Sequence, residues 1–431
     1  MRSSKLPSAA ALLAAATAIT PPTSHATTNL IAKRESPKVF AARAWNSDGA
    51  YQVNTTLGTP GQPLSLLLDI NATQHTLNYA SGTRNCSLAD EESQCAQFGA
   101  YYPNASSTWA YGERYLYEWD KDEWLVLFGK ESDLLTMGTE GSERTLNVSV
   151  YPGSGFSDSI QNVMAASGNA SGISILNDLV DADIIDARAF SLWNNPAVDQ
   201  ESEVLFGGVN IAQYRGKLTT YDLNEDSVPC LPVSSLQVTS TEEENGSNIT
   251  IEETQFTIST SKYTILPKDV TDQLYSAYNI TERFLPCSRM NENRTVSLSI
   301  GNTTITTPWR YLLYRLAGSD PDSEQCIFGP WDGGDVAGDE RAIIGVEFLR
   351  NMFLAIDYDK GKVGFAELST APGEDDVRSL EDAEGVQGSG GDAGFEDGES
   401  EDDGDTGAAG RMSIPGFGML AVVGGIAFAL L

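Results

Sequence analysis

The chain has 431 residues, with 60 Asp and Glu against 27 Lys and Arg, for a formal net charge of −33. That acidity argues against binding to nucleic acid, which needs basic stripes, and no phosphate-cradling glycine loop occurs. With only two histidines, His25 and His75, there is almost no material for a Ser-His or zinc-His centre, so no metal and no cofactor are expected.

Residues 1–26 read as a secretory signal peptide: Met1-Arg2-Ser3-Ser4-Lys5, the apolar run Ala9–Ile19, then the small-residue site Ser24-His25-Ala26. The run is too short to cross a bilayer. Residues 27–50 form a short segment or prosegment containing the dibasic pair Lys33-Arg34. From Tyr51 to about Thr370, short β-branched and aromatic runs alternate with Gly, Asn, Asp and Pro turns, which predicts an all-β protein, either sandwich or barrel. Pro267–Tyr278 is the best helix candidate. The first strong element is the Gly58–Thr59–Pro60–Gly61 turn followed by Leu64-Ser65-Leu66-Leu67-Leu68, an apolar strand that ends on Asp69. An acid in that place is more often a turn or cap residue than a catalyst. Gly373–Asp405 carries fourteen acids against Arg378 alone and no apolar pattern, so residues 371–405 are expected to be a disordered acidic linker. The last 18 residues, Ile414–Leu431, are apolar with no charged stop after them. A single-pass anchor is one reading; the small residues Gly404, Gly407, Ala408 and Ala409 upstream favour a glycolipid-attachment signal over residues 406–431, with Gly404 or Gly407 as the attachment point.

The stretch Tyr51–Tyr79, with Tyr51, then LGTPGQP, an apolar strand and Asp69, resembles the first motif of the pepsin-like aspartic peptidases. The resemblance covers most of 51–370. Ser106-Ser107-Thr108 and Asp133–Gly138 (DLLTMG) fall where that family has its SST and its D-x-V-x-I-G strand. Phe190-Ser191-Leu192, Glu203–Gly216, Ile343–Arg350 (IIGVEFLR) and Ala355–Ala366 (AIDYDKGKVGFA) match its later motifs. It implies a bilobal pepsin-like fold, with an N-terminal lobe over 51–198 and a C-terminal lobe over 199–370. It also implies disulfides closing each lobe separately, Cys86 with Cys95 and Cys287 with Cys326, which leaves Cys230 as a buried free thiol.

Hydrolysis in that family uses two carboxylates about 3 Å apart that share a proton. One, ionised, takes a proton from the attacking water, and the other, neutral, donates to the scissile carbonyl. Asp69 keeps the first acid, but Ile70-Asn71 stands where the family has Thr-Gly. The second acid should lie nine residues before the Pro of a Leu-Pro pair. Counting back from Pro267 gives Ile258, and a one-residue slip gives Thr257 or Ser259. No acid lies between Thr254 and Lys268. Ile70 lacks the hydroxyl that ties the two catalytic loops together, and the flap Tyr-Gly position falls near Asp120-Lys121, Tyr111-Gly112 being too early. The short prosegment also argues against a zymogen.

Sequons occur at Asn54, Asn71, Asn85, Asn104, Asn147, Asn169, Asn245, Asn248, Asn279, Asn293 and Asn302, enough to predict a heavily glycosylated surface. The expected protein travels the secretory pathway to the outer face of the plasma membrane or cell wall. There it acts as a pseudopeptidase with a vestigial Asp69, binding extended peptides or cell-wall components. The alternative is an active, divergent aspartic endopeptidase.

Overall fold

The computed structural model describes residues 36–47, 49–78, 98–118, 125–152, 162–168, 172–195, 201–240, 243–315, 325–333 and 342–391. Two β lobes sit on a shared sheet. In the first lobe, strands Ala50–Leu57 and Gln62–Asp69 form a hairpin across the Gly58–Gly61 turn. Gly58 has φ +86°, and a Cβ there would meet the Ser106 hydroxyl, so only glycine serves. Leu64, Leu66 and Leu68 point into the core at the period of two that a strand imposes. Strand Leu125–Met137 pairs with Ala110–Glu118 on one side and Arg144–Pro152 on the other. Asp133 anchors the turn, accepting hydrogen bonds from the Thr108 hydroxyl (2.6 Å), from Tyr101 and from the Leu134 N–H. It is a structural acid.

The shared sheet runs in the order Tyr214–Asp222, Lys362–Leu368, Met352–Asp357, Ala189–Asn194, Glu201–Phe206 and Phe40–Ser47. This corrects two expectations. Phe40–Ser47, expected to lie ahead of the first lobe, is a strand of this sheet, paired with Glu201–Phe206 and with the start of the first lobe. The division at 198/199 falls between two paired strands, so the sheet belongs to both lobes.

A third correction concerns the acidic region. Residues 372–391 are not a disordered linker; they fold as a strap across the outer face of the shared sheet. Val377–Arg378 pairs with Val209–Asn210, and Ser389 and Gly390 donate to the carbonyls of Ile211 and Tyr214. The short helix Leu380–Ala383, capped by the Ser379 hydroxyl, buries Leu380 and Ala383 against Tyr214, Leu218 and Phe353. All six residues of Met352–Asp357 are consequently buried: Leu354 and Ile356 face the main core, Phe353 and Ala355 the strap.

The second lobe is a seven-stranded sheet centred on Cys230–Ser240, Glu243–Ile258 and Arg294–Ile300. Helix Lys268–Ala277 starts right after Pro267, as its spacing predicts. Cys287 and Cys326 form a disulfide, and Cys230 is buried without one. Cys86, Cys95, the signal peptide, Asp120-Lys121, Asn85, Asn169 and residues 392–431 lie outside the described residues, as does the side chain of Asn245. The other eight sequon asparagines are exposed. Among the described residues no helix is long and apolar enough to cross a membrane.

Candidate active site

Strand Gln62–Asp69 pairs in parallel with Asn162–Ala165, setting Leu68 beside Met164 and Asp69 beside Ala165. The Asp69 carboxylate, half-buried at the strand end, accepts the N–H groups of Asn71 (2.8 Å) and Ala72 (3.1 Å) through Oδ1. Ile70 is buried beneath it, and the hydroxyl of the buried Tyr358 donates to the Ile70 carbonyl (3.3 Å). Burial, and then the charge of Asp69, push the Tyr358 phenol far above its ordinary range, so it stays a donor.

The second lobe repeats this pattern. Strand Glu243–Ile258 pairs in parallel with Ile343–Ile344, setting Ile258 beside Ile344. Thr76 faces Val163 in one lobe as Ile265 faces Ile343 in the other. The Ala165 N–H bonds His75 Nδ1 (3.0 Å), and the Gly345 N–H bonds Thr264 Oγ1 (3.0 Å). The Ser261 N–H reaches the Ser259 hydroxyl (3.3 Å), as the Asn71 N–H reaches Asp69. Each correspondence equates Leu68 with Ile258 and Asp69 with Ser259. The second-acid position is therefore Ser259, not Ile258. Ile258 is fully buried in the core and does not occupy it. The count from Pro267 misled because Ser259 lies eight residues before it rather than nine.

The two loops touch directly. The Thr260 hydroxyl donates to the Leu68 carbonyl (2.6 Å) and accepts the Ile70 N–H (3.4 Å). The Asn71 side chain donates from Nδ2 to the Ile258 carbonyl (3.0 Å), and the Tyr51 N–H donates to the Thr260 carbonyl (2.9 Å).

Comparison with known proteins agrees with this geometry. Residues 156–368 match the family model described as eukaryotic aspartyl protease. The chain is 26% identical over 373 residues to the "Probable aspartic-type endopeptidase opsB" of Aspergillus fumigatus, covering 81% of this chain and 74% of that one. The namesake from Aspergillus oryzae is 25% identical over 379 residues, again 81% and 74%. Candidapepsin-3 of Candida albicans is 22% identical over 375 residues, 81% of this chain and 86% of that one. The chain carries a pepsin-like eukaryotic aspartyl protease domain.

Against the pepsin-like pattern, Asp69 is present and its partner acid is replaced by a hydroxyl. Serine holds its proton far too tightly to exchange it near neutral or acidic pH, so Asp69 has no second carboxylate at Ser259 with which to share one. His75 offers no substitute chemistry: it is buried, its Nδ1 accepts a backbone N–H, and its Nε2 points at Asp178 (3.1 Å). Glu347, among the described residues, is an acid packed under the second loop and fully buried. It accepts both the N–H and the hydroxyl of Thr264 through Oε2 (2.8 and 2.7 Å). Burial raises its carboxyl from 4.5 to about 7. Those bonds hold it under the loop as a support. Among the described residues no group of three His, Cys, Asp or Glu could hold a metal ion. The roles of Thr260, Asn71, Tyr358 and Glu347 were not found from sequence; the Ser-Thr-Ser triplet 259–261 echoing Asp-Thr-Gly was the available signal.

Proposed function

We propose that this chain is a secreted, surface-anchored pepsin-like protein that has lost hydrolysis and keeps its cleft as a binding groove for extended peptides or cell-wall components. The observation that carries this reading is Ser259 at the position equivalent to Asp69. Loss of one general acid–base partner costs roughly 10²–10⁴ in rate, and here the shared proton goes with it. Ile70 and Asn71 add to the deficit, because neither reproduces the Thr-Gly that orients the first acid. A hydrolytic reading has its own support in the relatives named as endopeptidases and in the retained Asp69.

An acid-pH assay separates the two. The ectodomain, incubated with a denatured protein substrate between about pH 3 and 7, should yield no new peptides by mass spectrometry and should bind pepstatin weakly or not at all. Pepstatin-sensitive cleavage that disappears in Asp69→Asn would overturn the reading. Exposed sequons, the Cys287–Cys326 bridge and a relative named secreted aspartic protease 3 support the extracellular route. The apolar terminus motivates lipid attachment near Gly404 or Gly407.

A further inference from the structure

The loop-to-loop contacts are symmetric in their acceptors and asymmetric in their donors. Leu68 and Ile258 are equivalent residues, each immediately before the position of a catalytic acid. The Leu68 carbonyl receives the hydroxyl of Thr260 from the opposite loop (2.6 Å). By the same symmetry the Ile258 carbonyl should receive a hydroxyl from residue 70, and Ile70 has none. It receives instead the side-chain amide of Asn71 (3.0 Å), one residue further along. We propose that Asn71 is the first lobe's half of the interlobe clasp, and that its amide nitrogen is committed to Ile258 rather than to a glycan, despite the Asn71-Ala72-Thr73 sequon.

Three facts make the substitution work. An asparagine side chain is longer than that of threonine, so a donor one position later spans the same gap. The Asn71 backbone is held by its own N–H to Asp69 (2.8 Å), which fixes where the side chain begins. Ile70 is buried in the core and can be apolar because the hydrogen bond is made elsewhere. The nitrogen that reaches Ile258 is the atom that N-glycosylation would substitute. A glycan there would emerge between Asp69 and the Ser259 loop and fill the groove. The proposal does not depend on whether the cleft hydrolyses peptides.

Glycopeptide mapping of the secreted protein should find the Asn71 peptide unmodified. Thr73→Ala, which destroys the sequon but leaves the amide, should change neither the mass of the glycoform nor the melting temperature. Asn71→Gly should lower the melting temperature by about 2–4 °C, the scale of one lost hydrogen bond. The decisive measurement is a double-mutant cycle with Ile70→Thr. If Thr at position 70 takes over the bond, its cost should be smaller by about 2–4 °C in the Asn71→Gly background than in the wild type. A glycan on Asn71 in folded protein would overturn the proposal, and so would strictly additive melting shifts or an unchanged melting temperature for Asn71→Gly.

Discussion

At the scale of single residues, the identity of position 259 governs the chemistry. Ile258→Asp should not create activity: it would bury an unpaired carboxylate in the core and destabilise the fold. Ser259→Asp combined with Ile70→Thr and Asn71→Gly restores the acid, the hydroxyl and the close backbone approach together. That triple variant should gain acid-pH, pepstatin-sensitive cleavage, read by peptide release; a folded triple variant without turnover would show that other parts of the site have also diverged. Glu347 supplies a second residue-level prediction. Burial is the largest cause of its rise from 4.5 to about 7, and one of its oxygens has no partner. A carboxyl with a raised folded value favours the protonated form. The contribution of Glu347 to stability is therefore fully present below about pH 4.5, is lost as pH rises towards 7, and is level above that. The loss amounts to about 3 kcal/mol. Glu347→Gln keeps an acceptor for Thr264 and removes the charge, so its urea midpoint should vary less between pH 4.5 and 7 than that of the wild type. Equal slopes in both proteins would refute the assignment.

At the scale of elements, the strap over 372–391 shows how composition misleads. Its acids suggest disorder, yet Leu380, Ala383 and Val386 recur every three residues and supply an apolar edge. That edge covers the otherwise open face of Met352–Asp357, which is why an alternating strand is buried on both sides. Deleting a buried leucine side chain costs about 2–5 kcal/mol, so Leu380→Ala should lower the urea midpoint clearly, whereas exposed Glu384→Gln should not. An unchanged midpoint for Leu380→Ala would mean that the strap contributes no packing. The helix Lys268–Ala277 and the hairpin at Gly58 were legible because Pro and Gly mark backbone geometry locally.

At the scale of the whole molecule, the two lobes are joined by one sheet to which both contribute, by the Thr260 and Asn71 clasp, and by Asn194. Asn194 accepts from Tyr51 (3.0 Å) and donates to the Leu349 carbonyl (2.7 Å). The Cys287–Cys326 bridge stabilises only the second lobe. Its loop predicts about 4 kcal/mol by chain entropy, so replacing both cysteines by alanine should lower stability without separating the lobes. The lipid proposal is tested on cells: a phospholipase specific for glycosylphosphatidylinositol should release the protein, and recovery of an intact Ile414–Leu431 peptide from the membrane form would refute it. The sequence by itself determined the β-rich fold and the presence of one acid without its partner, because spaced motifs, turn residues and an absence of Asp or Glu from 254–268 are local properties of the chain. Only the tertiary structure decided that Ser259 is the missing acid's position, that Phe40–Ser47 belongs to the shared sheet, and that the acidic strap folds. Those facts depend on strand register and on surfaces contributed by residues far apart in sequence, and a one-residue difference in loop length, invisible to a motif count, shifts a strand end from the core to the site.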